Sequence, residues 1–405
     1  MNAKQAKYPQ LRFKGYTDPW EQRKLKELAN IVRGASPRPI QDPKWFDDTS
    51  EVGWLRIADV TDQNGRIHHL EQRISALGQE KTRVLATPHL LLSIAATVGK
   101  PVVNYVKTGV HDGFLIFEDP KFDREFMFQW LEMFRPMWQR YGQPGSQVNL
   151  NSNLVKNQGI ILPSMEEQHK IGSFFKQLDH LITLHQRKLA KLKELKQGYL
   201  QKMFPRNGSK FPQLRFAGFT DAWEQRKFSE LFQKSSEKNT NLSFSRSQVL
   251  TGATMTDSDR DINSDDDYMK TYNVIHVGDI LFEGHTSKQF AFGRFVLDDY
   301  RDGIVSHVFD IYRPKAKMNL SFWKYYIHDE NVMRPILVRA TSNARMLNAL
   351  SSSEFLKQSV FVPSENEQAK IGNLLEQIDS TIALHQRKLE KLQELKKGYL
   401  QKMFV

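Results

Sequence analysis

Cysteine is absent from the 405 residues, which removes disulfide frameworks, thiolate zinc sites and a cysteine nucleophile, and suits a reducing cytoplasm. Long apolar runs are also missing. The longest, Leu90 to Val98, is far short of a membrane span, and the opening MNAKQAKYPQLRFKG has no apolar core of the kind that directs secretion. A cytoplasmic protein with no membrane partner is expected. Catalytic signatures are lacking as well: there is no GxxxxGKS/T phosphate loop, no GxGxxG turn after a strand and no HExxH. No Pro-Pro pair occurs, which excludes the Asn/Asp-Pro-Pro-aromatic motif that holds the target amine in nucleic-acid amino-methyltransferases. The acidic run DSDRDINSDDD (Asp257 to Asp267) fails as a calcium loop, because Ile262 stands where glycine is needed and Tyr268 where the bidentate glutamate belongs. His68 and His69 lack a third ligand to make a metal site.

What the chain does have is a surplus of positive charge, 58 Lys and Arg against 46 Asp and Glu, for a net +12. That balance favours a polyanionic partner. It also repeats itself. LHQRKLAKLKELKQGYLQKMF (Leu184 to Phe204) returns as LHQRKLEKLQELKKGYLQKMF (Leu384 to Phe404), with 18 of 21 positions identical. PQLRFKGYTDPWEQRK (Pro9 to Lys24) returns as PQLRFAGFTDAWEQRK (Pro212 to Lys227), with 13 of 16 identical. Two copies at a period near 200 residues mean duplicated domains rather than solenoid units.

The middles, 25–160 and 228–360, do not align, though both read as mixed α and β. In the first, Gly53 to Val60 and Lys100 to Val106 look like strands, and Phe126 to Trp138 like an aromatic-faced helix broken near Pro136. In the second, Thr271 to Gly284, Gly293 to Leu297 and Ile304 to Pro314 read as strands, and Phe322 to Met333 as a helix. The expected class is α+β, with domains over 1–163 and 212–363, long helices over 164–204 and 364–405, and a linker at 205–211.

Each long helix opens with Pro, Ser and a glutamate three residues on, at Pro163, Ser164, Glu167 and at Pro363, Ser364, Glu367. This is the spacing of a capping box. Apolar residues then follow a 4-3 rhythm at Ile171, Phe175, Leu178, Ile182, Leu189, Leu192, Tyr199 and Met203. The second copy gives Ile371, Leu375, Ile378, Ile382, Leu389, Leu392, Tyr399 and Met403. A spacing of 3.5 held over several heptads predicts a coiled coil. His185, Lys196, His385 and Lys396 interrupt the seam, as residues that fix register do. Leu184, Leu195, Leu384 and Leu395 widen the stripe, so a further helix is expected to pack there. If one helix leads from the first domain to the second, the other runs back, and the pair is antiparallel with a pseudo-two-fold relation between the halves.

Side chains of the types that read base edges cluster in the middles. One group is Arg140, Gln143, Ser146, Gln147 and Asn149. A second is His285, Thr286, Ser287, Lys288, Gln289 and Arg294, and a third is Arg339, Asn343 and Arg345. Most protein–DNA hydrogen bonds go to phosphate and sugar, so these are candidates for contact rather than assigned base readers.

Across its whole length the chain resembles the DNA-specificity (S) subunit of type I restriction-modification systems. The resemblance rests on PQLRF-G-TD-WEQRK at the head of each half, LPSMEEQ and VPSENEQ before the helices, and the LHQRKL…GYLQKMF ends. It implies two target recognition domains, each binding one half of a bipartite site in double-stranded DNA, held apart by an antiparallel coiled coil. It also implies no catalysis in this chain, with two modification (methyltransferase) subunits bound and two restriction subunits able to join. S-adenosylmethionine, ATP and magnesium are then expected on those partners, with no cofactor here. The shared phrases mark scaffold, so no base-reading residue carries over. A helix of about 40 residues would give a spacer of roughly 60 Å, and the heads would face half-sites about one helical turn apart. The other readings are a structural adapter, whose coiled coil joins two protein-binding domains without sequence-specific DNA binding, and a stand-alone nuclease or methyltransferase, which the missing motifs disfavour.

Overall fold

The computed structural model describes residues 8–140, 150–206, 208–258, 265–343 and 348–404, without the side chains of Gln139 and Asn343. The chain forms two compact units that do not follow its halves. One comprises residues 1–186 with 387–405, and the other residues 187–386. Each unit therefore takes the beginning of one long helix and the end of the other.

In the first unit the landmark strand Glu21–Lys24 pairs antiparallel with Gly159–Leu162, immediately before the long helix Met165–Met203. Beyond it lies a five-stranded sheet in the order Asn30–Arg33, Phe114–Glu118, Leu90–Ser93, Pro101–Asn104, Arg66–Ile67. Leu90–Ser93 is buried along its whole length, as the apolar run in its sequence requires of a strand covered on both faces. The helix Arg124–Gln139 packs its aromatic face inward, with Trp130 stacked on Phe134 at 4.7 Å and Phe134 edge-on to Trp138 at 4.8 Å. This helix is not broken at Pro136. The proline sits on the exposed face, where burial of the aromatic stack outweighs one lost backbone hydrogen bond.

The second unit repeats this order of elements. Glu224–Lys227 pairs antiparallel with Ser359–Val362 ahead of the long helix Glu365–Met403. Its main sheet has four strands, Phe232–Ser235, Asp310–Pro314, Ile280–Glu283 and Arg294–Leu297. The shared plan was hidden because the middles share topology without sharing sequence.

Four expected elements come out differently. Only Gly53–Trp54 of the first predicted strand is extended; Ile57–Asp62 is helical. The Asp59 carboxylate there accepts the Arg56 backbone N–H at 2.9 Å, a local cap that overrides β-branched content. The run from Thr271 to Gly284 splits into Asn273–Ile275 and Ile280–Glu283. Between them Asp279 accepts the His276 backbone N–H at 3.0 Å. Ile304 to Pro314 also divides, into Gly303–Val305 and Asp310–Pro314, around a turn closed by Phe309 N–H to Ser306 C=O. The helix expected over Phe322 to Met333 is two, Leu320–Tyr326 and Glu330–Ala340, because Asp329 accepts the N–H groups of Asn331 and Val332 and starts a new helix.

Within the first unit the start of one long helix lies against the end of the other. Phe175 stacks on Phe404 at 5.8 Å, and Phe174 meets Tyr399 edge-on at 5.1 Å. The second unit mirrors this, with Ile371 and Leu375 in one cluster with Met203 and Phe204. The pairing is an antiparallel coiled coil. Ile171, Phe175, Leu178, Ile182, Leu189, Ile371, Leu375, Ile378 and Leu389 are buried, while Leu192, Tyr199, Ile382, Leu392 and Tyr399 are half-buried. Leu184, Leu195, Leu384 and Leu395 stay exposed instead of being covered by a further described helix.

The capping box of the first long helix forms only in part. Ser164 Oγ accepts the Glu167 backbone N–H at 3.4 Å, but the Glu167 carboxylate does not turn back to the serine. It is claimed by Arg12, through Nε at 2.7 Å and a second guanidinium nitrogen at 2.8 Å. Glu367 is held by Arg215 at 2.6 and 2.8 Å in the same way. A buried carboxylate favours a bidentate cationic partner over a neutral amide.

Candidate nucleic-acid interface

The exposed polar loops are carried at the ends of the sheet strands. In the second unit, Ile280–Glu283 and Arg294–Leu297 are joined by residues 284–293, beside the hairpin of Thr341–Asn343 and Asn348–Leu350. Loop and hairpin are joined at Asn348, which donates its backbone N–H to Gly284 C=O at 2.9 Å and its side-chain amide to Ala291 C=O at 3.0 Å. A Cβ on Gly284 would stand 2.3 Å from the Asn348 carbonyl oxygen, so only glycine permits this approach. The loop that holds the 285–294 cluster therefore meets the hairpin strand Asn348–Leu350.

Within the loop, residues 287–290 form a tight turn. Ser287 N–H donates to Phe290 C=O, and Phe290 N–H donates to Ser287 Oγ, both at 3.0 Å. Phe290 is buried and meets His328 edge-on at 4.9 Å. Burial keeps His328 below its ordinary pKa, so it serves as a neutral ring. Arg294 is committed inward, donating to Glu283 at 2.6 Å with its guanidinium 5.3 Å over the Phe290 ring. His285 lies 3.7 Å from Glu283. Thr286, Lys288 and Gln289 are exposed and have no hydrogen-bond partner among the described residues.

The remaining candidates divide. Arg339 is exposed but lines a different cleft of about 520 Å³, with Gln225, Pro335 and Lys357. Arg140 is exposed at the end of the helix Arg124–Gln139. Gln143, Ser146, Gln147, Asn149 and Arg345, and the Asn343 side chain, lie outside the described residues. Leu150 N–H donates to Ile94 C=O at 3.3 Å, as Asn348 N–H does to Gly284 C=O in the second unit.

The first unit carries a feature that no single stretch of sequence announces. A cleft of about 700 Å³ is walled by Pro37, Ile40, Trp54 and His111, with Arg38 and Arg56 at its edge. Arg38 pairs with Asp112 at 3.2 Å, and Arg56 grips Asp59 through two nitrogens. Burial pushes His111 below its ordinary pKa, against the pull of Asp112. The cleft forms from separate segments of chain, which is why reading consecutive residues missed it. Among the described residues no group of His, Asp and Glu is placed to hold a metal ion. No described helix is long and apolar enough to cross a membrane.

The fold has solved counterparts. The S subunit of a type I restriction-modification system from M. genitalium matches over 98% of this chain and 99% of its own, with TM-score 0.62 at 12% identity. A chain from a structural study of complex assembly and conformational transition in the type I R-M system matches over 96% and 99%, with TM-score 0.51 at 16% identity. At such identities these likenesses speak for the fold alone. The sequence itself matches the type I restriction modification DNA specificity domain twice, over residues 17–194 and 220–394, so the chain belongs to that family.

Proposed function

We propose that this chain is the non-catalytic, DNA-reading subunit of a type I restriction-modification complex. Its two domains each read one half of an asymmetric, interrupted site in double-stranded DNA. The paired long helices set the spacing between the halves. The near-identical landmarks offer two similar docking surfaces to two modification subunits, and two restriction subunits join the assembly. S-adenosylmethionine, ATP and magnesium belong to those partners.

The observation that carries this reading is a scaffold duplicated at the level of single contacts around loops that are not duplicated. Arg12 and Glu167 reappear as Arg215 and Glu367 with nearly the same distances. The loops 94–100 and 284–293, at equivalent places in the two sheets, differ in length and in polar side chains. A reader of two unlike half-sites needs this division between constant support and variable tip. The net charge of +12 supports a polyanionic partner. An adapter between two proteins would share the helices and gain nothing from such charge.

The test is to co-express the chain with modification and restriction subunits and to map methylated bases in cellular DNA. Methylation at one bipartite motif, lost when this chain is deleted, is the expected result. An unchanged methylome would favour the adapter. Removing one heptad from both helices in register should alter the tolerated spacer, and an unaltered spacer would sink the measuring role.

A further inference from the structure

Resting on the reading above, we infer that Lys288 and Gln289 are the base-reading tip of the second domain, Gln289 pairing with an adenine edge and Lys288 with a neighbouring guanine edge in the major groove. The first domain's equivalent loop does not read DNA.

The tip is firmly held. Lys288 and Gln289 are the two central residues of the turn 287–290, closed by the Ser287–Phe290 hydrogen bonds. The turn is anchored by the buried Phe290 ring and stapled to the hairpin through Asn348. Two of the polar groups around it are already used. Arg294 is bound to Glu283, and the Ser287 hydroxyl accepts within the turn. Apart from the Thr286 hydroxyl, which lies outside the turn, what remains is one cation and one amide, adjacent, exposed and without hydrogen-bond partners among the described residues. A fixed turn lowers the ordering cost of placing side chains against base edges. Glutamine presents the donor–acceptor pair that matches adenine N6 and N7, and lysine donates to guanine O6 and N7.

The equivalent loop of the first unit, 94–100, has no such tip. Its one cation, Lys100, is engaged by Glu132 at 2.5 Å and by Asn64 at 2.8 Å. Thr97 Oγ1 donates to Ser93 Oγ at 3.1 Å. The rest is Ile94, Ala95, Ala96, Val98 and Gly99, which offer nothing to a base edge beyond a methyl contact.

The experiment maps methylation in cells carrying the full complex with wild-type chain, Lys288→Ala, Gln289→Ala, Gln289→Glu or the first-domain control Ala96→Gly. The expected result is relaxation at adjacent base pairs of one half-site only, with discrimination there falling roughly 5- to 100-fold, the range of one bidentate contact. Gln289→Glu should move preference away from adenine toward cytosine, whose N4 amine a carboxylate accepts. A changed preference cannot come from misfolding. Ala96→Gly should leave the motif intact. Three outcomes overturn the inference: an unchanged motif in all the tip variants, relaxation in both half-sites, or a uniform loss of methylation with the motif intact, which marks phosphate contacts. If wild-type chain itself directs no motif, the underlying reading falls and takes this inference with it; a wild-type motif with unaltered variants rejects the inference alone.

Discussion

Lys396 donates its ammonium to the Asp179 carboxylate at 2.6 Å, which ties the end of one long helix to the early part of the other. The second unit repeats the pair as Lys196 and Asp379 at 2.7 Å. The surroundings differ. Asp179 also accepts from Arg66 at 3.1 Å and from the Gln129 amide at 2.8 Å, so it joins the sheet and the aromatic helix to the coiled coil. Asp379 accepts instead from the Tyr325 hydroxyl at 2.7 Å. Burial pushes the Asp179 carboxyl up, but Lys396 and Arg66 more than offset it and hold the group below its ordinary value. The register residue of each seam is thus also the fastening of its domain.

The two fastenings should differ in strength. The Asp179 side chain is 13% exposed and that of Asp379 38%. Asp179→Ala leaves half-buried Lys396 without its carboxylate, while Arg66 keeps Glu125 at 2.8 Å, and should cost about 3 kcal/mol. Asp379→Ala, with a more solvated partner, should cost about 1 kcal/mol. Denaturant unfolding of the purified chain, with hydrogen exchange to assign the loss to one unit, checks the ordering; equal losses would mean that exposure does not govern these pairs. Because Asp179 sits below its ordinary value, its contribution is present at neutral pH and lost as pH falls through the folded value.

The landmark clamps make a sharper case. Glu167 and Glu367 have fully buried side chains, each gripped by one arginine. Arg12→Ala or Arg215→Ala strands a buried carboxylate and should destabilise its own unit by about 3–5 kcal/mol. Arg12→Lys should recover only part, since an ammonium cannot reproduce the two-nitrogen grip. Thermal unfolding of the three variants measures this, and full recovery by lysine would show that charge alone suffices.

These contacts also show what could be read beforehand. The duplicated phrases and the 3.5-residue rhythm are local in sequence, and they led directly to two domains, two long helices and a seam. That Arg12 belongs to Glu167, rather than Glu167 to the Ser164 cap, could not be read, because the pairing spans most of a domain. Element boundaries were lost where one side chain decides a turn, as Asp279 does after His276 and Asp329 before Glu330. At the candidate interface, residue types marked out the loop 285–294, yet they could not separate Arg294, committed to Glu283, from Lys288, which is not. That distinction depends on neighbours that folding brings together.

Asp298 should titrate near neutrality. Its side chain is buried, one oxygen accepts the Tyr300 backbone N–H at 3.0 Å, and the other has no hydrogen-bond partner among the described residues. Burial pushes its pKa up from 3.8 to about 6, against the backbone N–H groups of Tyr300 and Arg301. A raised folded value means the fold prefers the protonated acid. That stability is complete below the unfolded value and is lost as pH rises through about 6. Asp298→Asn, an isostere of the neutral acid, should therefore leave stability near pH 4 unchanged and raise it by roughly 1–2 kcal/mol above pH 7. Melting temperatures across that range decide it; a gain that does not grow with pH would place the cause elsewhere.

The far end of the chain should stabilise the unit that contains its beginning. Met403 and Phe404 are buried in the core with Trp20 and Phe126, Phe404 lying 5.2 Å from the Phe126 ring. Leu11 N–H donates to Lys402 C=O at 2.9 Å. Phe404→Ala should cost about 3–5 kcal/mol, as removal of a buried aromatic ring does. The loss should appear in residues 8–186 and not in 212–363, although the substitution is 200 positions from the second domain's own equivalent, Phe204. Phe204→Ala should give the reverse pattern, since Phe204 meets Phe322 and Tyr326. Hydrogen exchange read peptide by peptide separates the two. Protection lost from the domain nearest in sequence, rather than the one each phenylalanine packs against, would contradict the exchange of helix ends between the units.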